Sequence, residues 1–145
     1  MRKLIILIGF LTVIGVAPAA MAAAGAVAGT VTVHTSSYGQ ILFDGRGFAL
    51  YAFSHDSRGR SSCTGACAAA WPPFLVQRSP SAGPGAKASL LGTARRKDGT
   101  TQATYAGRPL YYYIGDRKPG QILCQNVSEF GGLWRVVRAT GSPVR

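Results

Sequence analysis

At 145 residues, 47% hydrophobic and only 14% charged, the chain has the length and composition of one folded domain rather than of a disordered or multi-domain protein. Sixteen Lys and Arg against five Asp and Glu give a formal charge of +11, which points to anionic rather than acidic-avoiding surroundings. With 19 Gly, 8 Pro and few helix formers beyond the N-terminus, the composition disfavours a helical bundle.

Arg2 and Lys3 precede an apolar run from Leu4 to Val16, Pro18 ends it, and Ala20-Met21-Ala22 supplies a small-x-small cleavage pattern. Residues 1–22 are therefore expected to be a signal peptide, cut after Ala22 or Ala24, leaving residues 23–145 as a single exported domain, periplasmic or secreted. The run is shorter than the ~20 apolar residues that span a bilayer. Because no Lys or Arg follows until Arg46, an uncleaved anchor is the alternative, and it is the only membrane attachment the sequence offers. No Cys lies near the cleavage site, so no lipid anchor is expected. The mature chain keeps fourteen Lys and Arg against five acids, a formal +9. These charges are scattered, as on a solvated surface, yet their sum favours anionic envelope components. The densest run, Arg95-Arg96-Lys97, is ended at once by Asp98-Gly99, and no nucleic-acid recognition motif accompanies it.

Thr30 to Thr35 alternates β-branched residues and predicts a strand. Gln40–Phe43, Phe48–Phe53, Thr101–Tyr105, Leu110–Ile114 and Leu133–Val137 are further short strands. Asp44-Gly45, Asp98-Gly99, Pro119-Gly120 and Gly131-Gly132 mark the turns between them. Thr64–Ala70 is the one helical segment, ended by Pro72-Pro73. Ser79 to Ser89, rich in Ser, Pro, Gly and Ala, reads as a flexible link.

The link separates two similar halves. Gly47, Leu50, Tyr51, Phe53 and Asp56 match Gly107, Leu110, Tyr111, Tyr113 and Asp116 at a constant offset of 60, which Gly39 and Gly99 share. Each half then carries a tryptophan before an apolar strand, Trp71 and Trp134. The fold expected is mainly β: a small single domain of two tandem pseudo-symmetric β repeats of about 40–60 residues sharing one core. The repeats run over about 38–78 and 98–138. Strand alternation puts Tyr111 and Tyr113 on one face, with Leu110, Tyr112 and Ile114 on the other; Tyr51 and Phe53 occupy the face matching the tyrosine pair. Asp56 and Asp116 end their strands as turn caps, or meet across the pseudo-symmetry as a carboxylate dyad.

Tyr51-Ala52-Phe53-Ser54-His55-Asp56 and Tyr111-Tyr112-Tyr113-Ile114-Gly115-Asp116 both read Tyr-x-aromatic-x-x-Asp. This resembles the bacterial secreted-repeat family of unknown function, whose members are often described as predicted lipoproteins with a Yx(FWY)xxD motif. Cys63 to Ala68 with Trp71-Pro72-Pro73 looks like its first repeat. Leu91-Gly92-Thr93, Arg96, Asp98-Gly99, Gln102, Tyr105 and Gly107 through Gly120 look like its second, and Gly131-Gly132 with Trp134 closes the match. The resemblance covers about residues 38–138 and implies an envelope or secreted protein with no established activity. Two departures stand out: the lipid-modified Cys of many members is missing, and Cys124 is additional.

Three cysteines in an exported chain allow one internal disulfide and one thiol left over. Chain entropy assigns about 2 kcal/mol to a Cys63–Cys67 bridge and about 4 to Cys67–Cys124. The local pair meets more easily and is the one the resemblance favours, leaving Cys124 free, buried or paired between molecules. His55, Cys63, Cys67 and Cys124 would alternatively make a Cys3His zinc set, against which stand the oxidising compartment and the absence of CxxC spacing. His34 and His55 have no nucleophile with a recognisable signature, so Ser/His/Asp catalysis is unsupported. Three functional classes remain: a non-enzymatic exported module without cofactor, a redox or metal-handling protein using Cys63 and Cys67, and a binder of anionic polymer or glycan presenting Trp71 or Trp134.

Overall fold

Alternating Thr and Val open the folded part of the chain, which this computed structural model describes over residues 29–145; the expected signal peptide lies outside the described residues. Strand β1 (Thr30–Ser36) turns back on β2 (Gly39–Asp44) as an antiparallel hairpin with Ser36 opposite Gly39. β3 (Tyr51–Phe53) and the short helix α1 (Ala66–Ala70) follow. Beyond them come β4 (Ser81–Ala82), a 3-10 turn at Ala88–Leu90, β5 (Leu91–Arg95), β6 (Thr101–Tyr105) and β7 (Arg108–Pro109). A second hairpin, β8 (Val127–Glu129) with β9 (Gly132–Val136), completes the element order. Three small sheets result, ordered β2-β1-β4, β3-β9-β8 and β5-β6-β7, so the fold is mainly β as the pattern predicts.

The two repeats are interleaved. β3 of the first pairs antiparallel with β9 of the second, placing Tyr51 opposite Val136 and Phe53 opposite Trp134. In the symmetric counterpart, the residues after Trp71 flank the second motif: the Tyr112 N–H donates to the Pro72 carbonyl and the Phe74 N–H to the Leu110 carbonyl, both at 2.8 Å. The motifs meet at the centre, where Tyr51 and Tyr111 exchange both backbone hydrogen bonds at 2.9 Å. A pseudo-twofold axis passes between those two residues, and each motif is held by the tryptophan segment of the other repeat.

The offset of 60 needs one correction. It holds for the paired glycines and the motifs, but β2 and β6 correspond one residue later. Leu42 N–H donates to the Val137 carbonyl, and its counterpart Ala103 donates to the Phe74 carbonyl, both at 2.8 Å. A shorter turn before Gly107 absorbs the slip. Gly47 and Gly107 both sit at positive φ (90° and 76°), and a Cβ on Gly107 would come within 2.6 Å of Arg58 Cγ, which explains why both motifs start with glycine.

Other expectations are revised. Leu110–Ile114 is not a regular strand: it makes single bridges from Tyr111 to Tyr51 and to Pro73, because Pro72 and Pro73 beside it supply no N–H to extend a ladder. Of Phe48–Phe53, only Tyr51–Phe53 is strand, Ala49 being a bridge to Phe43. The helix starts at Ala66, not Thr64. The link is no flexible tether. Ser81–Ala82 pairs parallel to β1, Gly83 N–H donates to Val31 and Pro84 accepts from Val33. Small residues, read as freedom, are here what permits close approach: a Cβ on Gly83 would meet the Thr32 and Thr30 methyls at 2.7 and 2.9 Å. β5 and β8 carry too little alternation to have been expected.

Alternation along the motifs sorts their side chains between two cores. Ala49, Tyr51, Phe53, Tyr111 and Tyr113 join one cluster with Trp71 and Trp134. Leu50, Ala52, Leu110 and Tyr112 join the other with Val31, Phe74, Ala103 and Val137. Ile114 departs from its expected face and is 61% exposed.

Because each motif strand is completed from the other repeat, a chain ending at residue 78 lacks the partner of its own β3. Such a fragment is expected to show no folded monomer by NMR dispersion and sedimentation. A well-dispersed monomeric spectrum would contradict the interleaving.

Candidate functional site

The motif residues engage one another crosswise. Tyr51 Oη donates to Asp116 Oδ2 at 2.6 Å, and Tyr111 Oη donates to Asp56 Oδ2 at 2.7 Å. Each tyrosine therefore serves the aspartate of the other repeat. The remaining oxygens cap the loops that follow: Asp56 Oδ1 accepts from the Ser62 N–H and hydroxyl at 2.8 Å, and Asp116 Oδ1 from the Leu123 N–H at 3.0 Å. The two carboxylates are thus taken up separately, each as a loop cap with a tyrosine partner. A third cross-repeat pair joins them, since Tyr112 Oη donates to Asp44 Oδ2 at 3.0 Å. Asp44, fully buried, also accepts from the backbone N–H groups of Arg46 and Phe48 and from Arg46 Nε at 2.8 Å.

Above these pairs the aromatic rings form a continuous stack. Phe53 lies on Trp134 (4.2 Å, 8°), Trp134 on Trp71 (4.1 Å, 5°), and Tyr113 on the far side of Trp71 (4.7 Å). Tyr51 and Tyr111 close it edge-on against Trp71 and Trp134. Such pairs contribute about 0.5–1.5 kcal/mol each beyond area burial. Both tryptophans are 0% exposed, so the expectation of an exposed stacking platform is corrected: the rings are core. Their indole N–H groups converge on one residue, Trp71 donating to Glu129 Oε2 (2.9 Å) and Trp134 to the Glu129 carbonyl (3.3 Å).

A buried polar chain runs beneath Tyr111. Arg96, read from sequence as part of a surface basic run, is 7% exposed; its guanidinium donates to Ser61 Oγ, Gln102 Oε1 and the Cys63 carbonyl at 2.7–2.8 Å. Ser61 in turn bonds the Tyr111 hydroxyl at 2.7 Å, and Gln102 Nε2 donates to the Leu110 carbonyl. Asp44, Ser61 and Glu129 escape a motif-based reading, and Arg96 and Gln102, matched to the second repeat by sequence, were given no role by it. The scarcity of acids is the signal that finds two of them: in a chain with five, each carboxylate has a structural partner.

Cys63 and Cys67 form the local disulfide, with Cα atoms 5.3 Å apart across the start of α1. The two residues are 1% and 6% exposed, which fits a structural cross-link. Cys124 is a buried free thiol; burial pushes its pKa up while the Tyr113 hydroxyl opposes this, so the thiolate is disfavoured. The Cys3His zinc set does not form, because two of its sulfurs are bonded to each other. Among the described residues no three His, Cys, Asp or Glu come together to hold a metal ion. His34 Nε2 lies 3.1 Å from Thr32 Oγ1 with its ring edge-on to Phe43, and His55 packs by Phe53.

Surface clefts open around this core among the described residues. One, of about 110 Å³, is lined by Phe53, Asp56, Arg58, Gly107 and Arg108; a second, of about 260 Å³, adjoins it through Phe53 and Arg108 and adds Ser54, Arg135 and Arg145. The third, of about 540 Å³, lies across the pseudo-twofold, lined by His34, Tyr38, Phe43, Gly47 and Pro119.

Fold and site together define a class of protein: a β domain of two interlocked repeats whose signature tyrosines and aspartates satisfy each other across the pseudo-twofold. Residues 32–74 and 92–138 match the family described as a secreted repeat of unknown function, and the chain belongs to that family. The matched segments take in most of β1 and nearly all of β5, so each repeat begins earlier than its motif alone suggests. No curated protein and no solved structure matches the chain. Among the described residues no helix is long and apolar enough to cross a membrane.

Removing one hydroxyl leaves a largely buried carboxylate short of a donor, so Tyr51→Phe and Tyr111→Phe are each expected to destabilise by about 1–3 kcal/mol. A double-mutant cycle of Tyr51→Phe with Asp116→Asn should show coupling, whereas Tyr51→Phe with Asp56→Asn should be near additive. Coupling along the sequence instead of across it would refute the crosswise pairing.

Burial raises the carboxyl pKa of both Asp56 and Asp116 despite their donors, and raises Tyr51, Tyr111 and Tyr112 beyond the usual phenol range. For the aspartates the folded state binds more protons, so their contribution is greatest below the unfolded carboxyl pKa and declines as pH rises through the folded values. Above about pH 10, where an unfolded tyrosine ionises, the folded tyrosines keep their protons and stability falls again. Urea midpoints across pH are expected to drop steeply on the alkaline side, together with the onset of tyrosinate absorbance. Tyrosine titration at ordinary pH without unfolding would contradict the buried pairs.

Proposed function

We propose that this protein is a non-enzymatic exported module that binds an anionic component of the cell envelope. One observation carries the reading: every acid is tied to a partner within the fold, Asp44 and Asp116 in its interior, while most of the positive charge is left unpaired. Asp44, Asp56 and Asp116 are tied to tyrosines and backbone N–H groups, Asp98 to Thr100, and Glu129 to Trp71. Of the fourteen Lys and Arg among the described residues, only Arg46 and Arg96 come within 4.0 Å of a carboxylate. The groups that would serve as acid, base or nucleophile hold one another in place, which supports a binding rather than a catalytic role.

Long-range attraction of this kind is screened over roughly 8–10 Å at physiological salt. The protein is therefore expected to cosediment with an isolated envelope fraction at low ionic strength and to be released by added salt. No retention at low salt, or retention indifferent to salt, would overturn the proposal.

A further inference from the structure

We infer that the two adjoining clefts beside Phe53 form a groove for a linear polyanion, a chain presenting successive phosphate or carboxylate groups; this rests on the binding role proposed above and names its site. Arg58 and Arg108 line the smaller cleft, Arg108, Arg135 and Arg145 the larger, and Arg108 belongs to both. Three of these guanidiniums are anchored by neutral acceptors. Arg108 Nε donates to the Gly141 carbonyl at 3.1 Å, Arg135 Nε to Asn126 Oδ1 at 2.8 Å, and an Arg58 terminal nitrogen to the Ala106 carbonyl at 3.4 Å. No ion pair to any of the four is found among the described residues. Their charges are thus positioned without being neutralised, the arrangement in which a guanidinium fork best receives an oxyanion. Asp56, the acidic side chain in the lining, has its oxygens occupied by Tyr111 and Ser62.

The pseudo-symmetry provides an internal control. Core residues repeat across the axis, but the groove arginines do not: Arg108 follows Gly107 where Phe48 follows Gly47, and Arg135 follows Trp134 where Pro72 follows Trp71. The cleft on the other side, bordered by Gly47 and Pro119, has no arginine in its lining. Arg108 and Arg135 are therefore not demanded by the repeated fold. Continuity of two clefts through Arg108 suits a chain better than a single small anion, because successive groups bind with an intramolecular gain.

The test is calorimetric titration of the full mature protein with linear polyphosphate, with orthophosphate at equal phosphate concentration, and with poly-glutamate as the carboxylate polymer. A polymer is expected to bind well above orthophosphate, and whichever of the two binds more tightly identifies the anion. Arg108→Gln with Arg135→Gln is expected to weaken polymer binding about tenfold or more at an unchanged melting temperature. Arg95→Gln with Lys97→Gln, which removes equal charge from the exposed β5–β6 hairpin, should leave binding nearly intact. Equal losses in the two double variants would overturn the groove and leave the general anionic role standing. Failure of both polymers to bind while envelope retention persists would also overturn the groove alone; failure of that retention as well would overturn both.

Discussion

Two carboxylates set among aromatic rings must each be given a donor, and in this fold the donor comes from the opposite repeat. The Tyr51–Asp116 and Tyr111–Asp56 bonds fix where the motifs lie relative to one another, since a tyrosine hydroxyl stands far enough from its backbone to reach only a partner across the axis. The reciprocal backbone bonds between Tyr51 and Tyr111 hold the same geometry from beneath. With those positions set, the loops after Asp56 and Asp116 are capped by the remaining oxygens, and the tryptophans that follow those loops meet face to face. Loss of any one of these groups leaves the others with unmet partners, which makes the centre cooperative.

The symmetry of that centre contrasts with divergence around it. Between the motif aspartate and the tryptophan, the first repeat inserts a disulfide-braced helix and the second the strand β8, which ends in Glu129. Both insertions do the same work of delivering a tryptophan to the stack. Glu129 then reaches over the pair to satisfy both indoles, so the second repeat's loop also secures the first repeat's ring.

Much of this was legible in the residues. Period-two alternation placed the motif side chains other than Ile114 on their correct faces, and the repeated Tyr-x-aromatic-x-x-Asp pointed to a duplicated β unit. What alternation cannot show is which strand a strand pairs with. The crosswise pairing depends on contacts between residues 55 to 65 positions apart, such as Tyr111 with Asp56, and nothing local encodes them. Arg96 misled for a related reason: its neighbours Arg95 and Lys97 are exposed, and one-dimensional charge counting cannot see that the turn after β5 directs the middle residue inward. Ser79–Ser89 misled because small residues serve close packing as readily as they serve freedom.

The interleaving bears on ancestry. A repeat whose motif strand is completed by another repeat's tryptophan segment has no closed core of its own, so a single copy could close that core only as a two-fold dimer of identical chains, with every contact made twice. Fusion through the segment that lies along β1 turned that association into an intramolecular one, independent of concentration. It also released the two copies from identity. Once encoded separately, one face could acquire Arg108 and Arg135 while the other kept Phe48 and Pro72, an asymmetry that no homodimer could have carried.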